Sequence, residues 1–196
     1  MEAPALRGIV LAGGRSSRLG GRHKPAIEVG GEPIVARVVR ALRAIDAEPV
    51  VVGDPAGVPA GVAVVREEPP FAGPLAAIAA GLGALPPADG VVLVLGGDMP
   101  FVTPDALRRL ASAAPGAVAL AVDPSGRDQP LCAAWDERVL RARVAVLGDP
   151  RDRPLRALLE TVGDAIRIPL PAAELADVDT PEDLRRLGVA DQTPGS

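Results

Sequence analysis

The chain meets nearly every demand for positive charge with arginine, yet it carries one lysine, Lys24, at the end of a basic, glycine-rich stretch reading IVLAGGRSSRLGGRHKP over residues 9–25. The apolar residues at its head, 8–12, are too few and too uniform for an amphipathic helix and predict a buried strand. Gly13, Gly14, Gly20 and Gly21 then permit sharp turns and a close backbone approach to a ligand, because no Cβ intervenes. Arg15, Arg18, Arg22 and Lys24 put cations in the same loop, which suits a polyphosphate. A compact ammonium among guanidinium groups points to a point-charge phosphate contact. A glycine-rich turn with a merely solvated basic loop is the competing reading.

Spacing excludes two other phosphate loops. The nucleoside-triphosphatase loop requires Gly-Lys followed by Ser or Thr, whereas Lys24 follows His23 and precedes Pro25. A dinucleotide fingerprint opens directly into a helix, and this loop is too long for that.

Asp98 is the second candidate. It follows an apolar run expected to be a central strand and lies in the sequence LGGDMP, flanked by Gly96, Gly97 and Pro100. A carboxylate there would face the same crevice as the first loop and suits a hard cation; Mg²⁺ needs only one or two protein carboxylates beside phosphate oxygens. A turn or capping aspartate is the alternative. The third candidate is the run DVDTPEDL at 177–184. Alternation puts Asp177 and Asp179 on one face if the segment is extended, as metal or substrate ligands; equally, Asp179 or Thr180 caps a final helix.

The elements that must position these residues alternate. Apolar periodicity predicts a helix over 32–45 with Pro33 in its first turn and Arg37, Arg40 and Arg43 on the face away from the core. Strands are expected at 49–52, 62–65, 89–95, 117–122, 131–135 and 165–168. Helices are expected at 75–85, 103–113 with Thr103 as cap, 136–143, 155–161 and from Thr180 onward. This pattern gives a three-layer, Rossmann-like α/β fold on a mostly parallel central sheet, with its ligand crevice at the carboxyl ends of the strands. One domain is expected over 1–189, followed by a small, polar tail at 190–196.

Composition narrows the function classes. A formal net charge of −4 gives no general attraction to nucleic acid. The lone cysteine, Cys132, excludes an internal disulfide and falls in an expected strand, where it reads as core. No apolar run reaches the ~18 residues of a membrane span, and no leader precedes the first strand, so a cytoplasmic protein is expected.

The ordered series LAGG, RLGGRHKP, Gly73-Pro74-Leu75, LGGDMP, Gly126-Arg127-Asp128-Gln129-Pro130 and DVDTPEDL resembles the molybdenum cofactor guanylyltransferases. These sit in a larger nucleotidyltransferase group with molybdenum cofactor cytidylyltransferases and sugar-phosphate nucleotidyltransferases. The resemblance implies that Leu11, Ala12, Gly13 and Gly14 contact a guanine nucleotide, with Gly13-Gly14 in place of Ala-Gly favouring guanine over cytosine. It implies that Lys24, Arg15 and Arg18 act on the phosphates, that Asp98 binds Mg²⁺ and nucleotide, and that Gly53 and Glu67 lie at further nucleotide contacts. Asp179 would be a second metal ligand, and Arg127, Asp128, Gln129 and Pro130 would face the pterin acceptor. GTP, molybdopterin and proteins that handle the finished cofactor are the implied partners, with no nucleic acid and no membrane. His23, Glu67 and Gly53 depart from the usual residues. Asp177 and Asp179 stand where asparagines are frequent, a change that resembles the cytidylyltransferase branch and related enzymes with two metal-binding carboxylates. Transfer from CTP, or onto a sugar phosphate or phospholactate, is the alternative reaction.

Overall fold

The computed structural model describes residues 4–13, 24–178 and 183. Its centre is β1 (Ala5–Ala12), an apolar strand flanked on both sides by parallel neighbours. One neighbour is β4 (Glu48–Gly53), itself paired with β5 (Ala63–Val65); the other is β6 (Gly90–Gly96). Beyond β6 lie β8 (Asp128–Asp136), β7 (Val118–Val122) and β9 (Ile166–Pro169), giving the order β5-β4-β1-β6-β8-β7-β9. Only β8 runs against the rest. The turn between β7 and β8 is too short for a crossover, so these two strands must form an antiparallel hairpin.

Helices cover both faces. On one side α1 (Ile34–Arg43) and α3 (Pro104–Ala113) bury Val35, Val38, Val39, Leu42, Leu107 and Leu110 against Val10, Val51, Leu93 and Leu95. On the other, α2 (Pro74–Ala84), α4 (Glu137–Leu147) and α5 (Leu155–Leu159) bury Leu75, Ile78, Leu82, Leu140 and Leu158 against Ile9, Leu11, Val92 and Val94. A strand buried on both faces reads as a continuous apolar run. The expected three-layer α/β fold on a mostly parallel sheet is therefore the fold observed. Among the described residues no helix is long and apolar enough to cross a membrane. Cys132 is buried in β8, and burial pushes its thiol up to about 12. It is core, as its position in the sequence indicated.

One boundary differs in a way that matters for the site. Glu32 and Pro33 do not open the helix; they form β3 (Glu32–Pro33), paired with β2 (Glu28–Val29). Gly30 and Gly31 have φ of 62° and 78°, the left-handed pair that a two-residue hairpin turn demands. Pro33, at φ −54° and ψ 141°, is extended and precedes the helix. The expected final helix from Thr180 and the tail at 190–196 lie outside the described residues, apart from Asp183.

At the amino end of β1, Arg7 and Glu137 form a buried ion pair at 3.1 Å, with side chains 9% and 0% exposed. Arg7 also donates to the Pro86 carbonyl, while Glu137 accepts from the Ala88 amide and from Arg141. Arg141 in turn donates to the carbonyls of Leu82 and Leu85 at the end of α2, where a helix leaves acceptors unsatisfied. Glu137→Ala strands a buried guanidinium and is expected to lower the unfolding free energy in urea by about 3–5 kcal/mol. Activity assayed well below the melting temperature should be unchanged, because this cluster sits at the sheet edge opposite the crevice.

Candidate active site

The chain leaves β1 for β4 and β5 on one side and returns to β6 on the other. The carboxyl ends of β1 and β6 therefore flank the point where strand order reverses, the standard ligand crevice of an open α/β sheet. Ala12 is level with Gly53 of β4, and Leu11 with Gly96 of β6.

Three segments close on the exit of β1. A Cβ on Gly53 would lie 2.6 Å from both the Ala12 carbonyl carbon and the Gly13 nitrogen, and its φ of 133° also excludes an ordinary side chain. The Gly97 amide donates to the Leu11 carbonyl at 2.9 Å, and a Cβ there would lie 3.0 Å from that oxygen. Gly53 is thus a packing requirement for the β1 exit. The backbone of Leu11, Ala12 and Gly13 is held from both sides by residues without side chains, and it emerges from the core at the exposed Gly13.

Two carboxylates attend this exit in different settings. Asp98 is half-buried just past β6; its Oδ1 would be 2.7 Å from a Cβ on Gly96, so the glycine makes room for it. The Asp98 carbonyl accepts from the Val178 amide at 3.2 Å, which brings Val178 against the Asp98 loop. Glu67 is 6% exposed. Its Oε1 accepts from the Phe71 amide at 2.9 Å and would stand 3.9 Å from a Cβ on Gly13. Its Oε2 is buried with no hydrogen-bond donor among the described residues, a costly state that a bound donor would relieve.

Lys24 begins a single 3-10 turn (Lys24–Ala26) on the buried Pro25. The Ile27 amide donates to the Lys24 carbonyl at 3.0 Å, and the Ile34 amide to the Ile27 carbonyl at 2.9 Å, which seats the turn on the start of α1. Gly14, Arg15, Arg18 and Asp179 lie outside the described residues.

The amino end of β8 overhangs β6, because Leu95 pairs with Cys132 and residues 128–131 continue past it. Asp128 there is clamped by Arg167 of β9 through two bonds of 2.9 and 3.0 Å. Gln129 reaches Asp123 at 3.5 Å. Asp123 accepts from the Ser125 hydroxyl and from the Ser125 and Arg127 amides, and these bonds, the hydroxyl's above all, hold its carboxyl below the usual range. Arg127 projects into solvent at the crevice edge of the sheet.

The family model for the MobA-like NTP transferase domain matches residues 8–166. The chain belongs to that family. A molybdenum cofactor guanylyltransferase from Rhodobacter capsulatus is 33% identical over 192 residues, covering 92% of this chain and 94% of the relative. A nucleotidyl transferase structure from Methanothermobacter thermautotroptrophicus matches with TM-score 0.74 at 25% identity, covering 94% of this chain and 96% of that one. The structure of molybdopterin-guanine dinucleotide biosynthesis protein A from Archaeoglobus fulgidus matches with TM-score 0.67 at 20% identity, covering 93% and 96%, and speaks for the fold alone.

In this MobA-like transferase one side chain was misplaced by sequence reasoning. Arg37 is not turned to solvent with Arg40 and Arg43; it is half-buried, donating to the carbonyls of Pro100 and Val29. Helical periodicity gave its face correctly, but the hairpin and the Asp98 loop that cover that face are long-range features. Arg167 was likewise unremarked, since only the sheet brings β9 beside Asp128. Gly53→Ala introduces a clash with β1 together with backbone strain of about 1–3 kcal/mol. Affinity for Mg²⁺·GTP in calorimetry is expected to fall about tenfold or more, while circular dichroism retains the α/β signature.

Proposed function

We propose that this MobA-like transferase moves GMP from GTP onto the terminal phosphate of molybdopterin, yielding the guanine dinucleotide form of the cofactor and pyrophosphate. The observation that carries the reading is the β1 exit, where the exposed Gly13 has on one side the buried Glu67, whose Oε2 meets no donor among the described residues, and on the other the half-buried Asp98. The full-length similarity to a guanylyltransferase supports the choice of nucleotide and acceptor. Glu67 Oε2 would accept a hydrogen bond from the nucleoside, and Leu11, Ala12, Gly13 and Gly14 would line it, with Gly53 keeping that backbone in place. Lys24, Arg15 and Arg18 would meet the phosphates. Arg127, Asp128, Gln129 and Pro130 would face the acceptor, with Arg167 holding Asp128 in place.

The reaction joins two anions. A phosphate oxygen of molybdopterin forms a bond to the α-phosphorus as the bond to the pyrophosphate oxygen breaks. That nucleophile is already ionised near neutral pH, so no general base is required. The barrier is set by repulsion and alignment, and the residues present address both. Asp98, a hard oxygen donor with space made by Gly96, fits Mg²⁺, and Asp179 would be its second ligand. When bound, the metal neutralises charge on the phosphate oxygens. Lys24 would hold the leaving pyrophosphate as its charge develops. A cytoplasmic enzyme passing its product to cofactor-handling proteins follows from the same reading.

Pyrophosphate release from Mg²⁺, GTP and molybdopterin tests the assignment. Asp98→Ala and Lys24→Ala should each lower the rate about 10²–10³-fold with the fold intact, and Lys24→Arg should impair it through altered reach and shape. Wild-type rates in both alanine variants would overturn the site.

A further inference from the structure

We propose that Arg37 is a positioning residue that fixes the Asp98 loop to the segment carrying Lys24, and so sets the relation between the two charges of the site. The inference rests on the transferase reading above. Within α1, Arg40 closes on Glu32 through two bonds of 3.0 Å, and Arg43 is exposed. Arg37 alone of the three turns to backbone. Its Nε donates to the Pro100 carbonyl at 3.0 Å and its Nη1 to the Val29 carbonyl at 3.0 Å, while the guanidinium lies 5.8 Å from the centre of the Phe101 ring.

Pro100 and Phe101 follow Asp98 after Met99, and Val29 closes the strand that leaves the Lys24 turn. The β2–β3 hairpin has two residues in each strand and is too small to be stable by itself. Its order depends on what fastens it. Arg37 supplies a charge-assisted bond there and a second to the Asp98 loop, using two different nitrogens of a rigid planar fork, Nη1 and Nε. Val29, Ile34 and Val178 form a small buried cluster with Ile27 and Phe101 packed on it, and the Val178 amide bonds the Asp98 carbonyl. The same guanidinium thus braces the segments bearing Lys24 and Asp98, and the Val178 amide ties the segment bearing Asp177 to the second of them.

Arg37→Gln removes the fork, Arg37→Lys keeps the charge on a single nitrogen, and Arg156→Gln breaks an exposed ion pair from α5 to Glu160 that touches neither the hairpin nor the Asp98 loop. Arg37→Gln is expected to lower kcat about 10- to 100-fold and to raise the Mg²⁺ concentration for half-maximal rate several-fold, with a much smaller change in the KM for GTP. Independently of turnover, hydrogen exchange at the Val178 and Ile34 amides should quicken, and calorimetric binding of GTP should lose much of its enhancement by Mg²⁺. Arg37→Lys should fall between, and Arg156→Gln should match wild type in every readout. Should Arg37→Gln fail to fold, the same measurements on Arg37→Lys decide. Wild-type exchange and Mg²⁺ response in the Arg37 variants, or the same losses in Arg156→Gln, would overturn the proposal. A wild-type protein that binds Mg²⁺·GTP but transfers nothing to molybdopterin would overturn the functional reading instead, leaving exchange and binding to judge Arg37.

Discussion

The exit of β1 must be open enough to receive a ligand and yet rigid enough to position it, and the surrounding structure follows from that constraint. Rigidity comes from pairing, since β1 is held on both edges by parallel strands and buried on both faces. Openness comes from deletion of side chains: Gly53 presses its backbone on Ala12 and Gly13, and Gly97 hydrogen-bonds Leu11 with no Cβ between them.

Charged groups are handled differently at the two ends of the sheet. At the amino end Arg7, Glu137 and Arg141 satisfy one another and the last carbonyls of α2, so their burial serves cohesion. At the carboxyl end Glu67 has one buried oxygen with no donor among the described residues. Arg7 Nε is likewise buried without a partner among them, so the two ends differ in place and pairing. The Arg7 charge is met by Glu137 at 3.1 Å, whereas the Glu67 carboxylate stands beside Gly13 at the crevice, where a bound donor would relieve it.

Much of this was legible in the sequence because the signals were local. The apolar runs of β1, β4 and β6, the Thr103 cap and the glycines around Asp98 each depend on a few adjacent residues. The Gly30-Gly31 turn was equally local but was overridden by the helical periodicity that follows it, which drew Glu32 and Pro33 into the helix. Arg37 and Arg167 were hidden for another reason. Their partners lie far along the chain at Pro100 and Asp128, and no helical or strand period reports a contact made by a neighbouring loop. Glu67, singled out in the sequence by the family resemblance and by no local pattern, is also far from Gly13 in the chain; the parallel alignment of β1 with β4 brings the Glu67 loop to the β1 exit.

The transfer chemistry asks little of acid–base groups and much of placement. Two polyanionic substrates must be held against their repulsion, so a fixed backbone, one lysine, a carboxylate suited to a hard cation and a brace between them form a sufficient set. The central claim is that the β1 exit selects a guanine nucleotide. Calorimetric titration of the same protein with GTP, CTP, ATP and UTP in the presence of Mg²⁺ tests it most directly. A clear preference for GTP is the result expected; a preference for CTP, or no binding of any of the four, would contradict it.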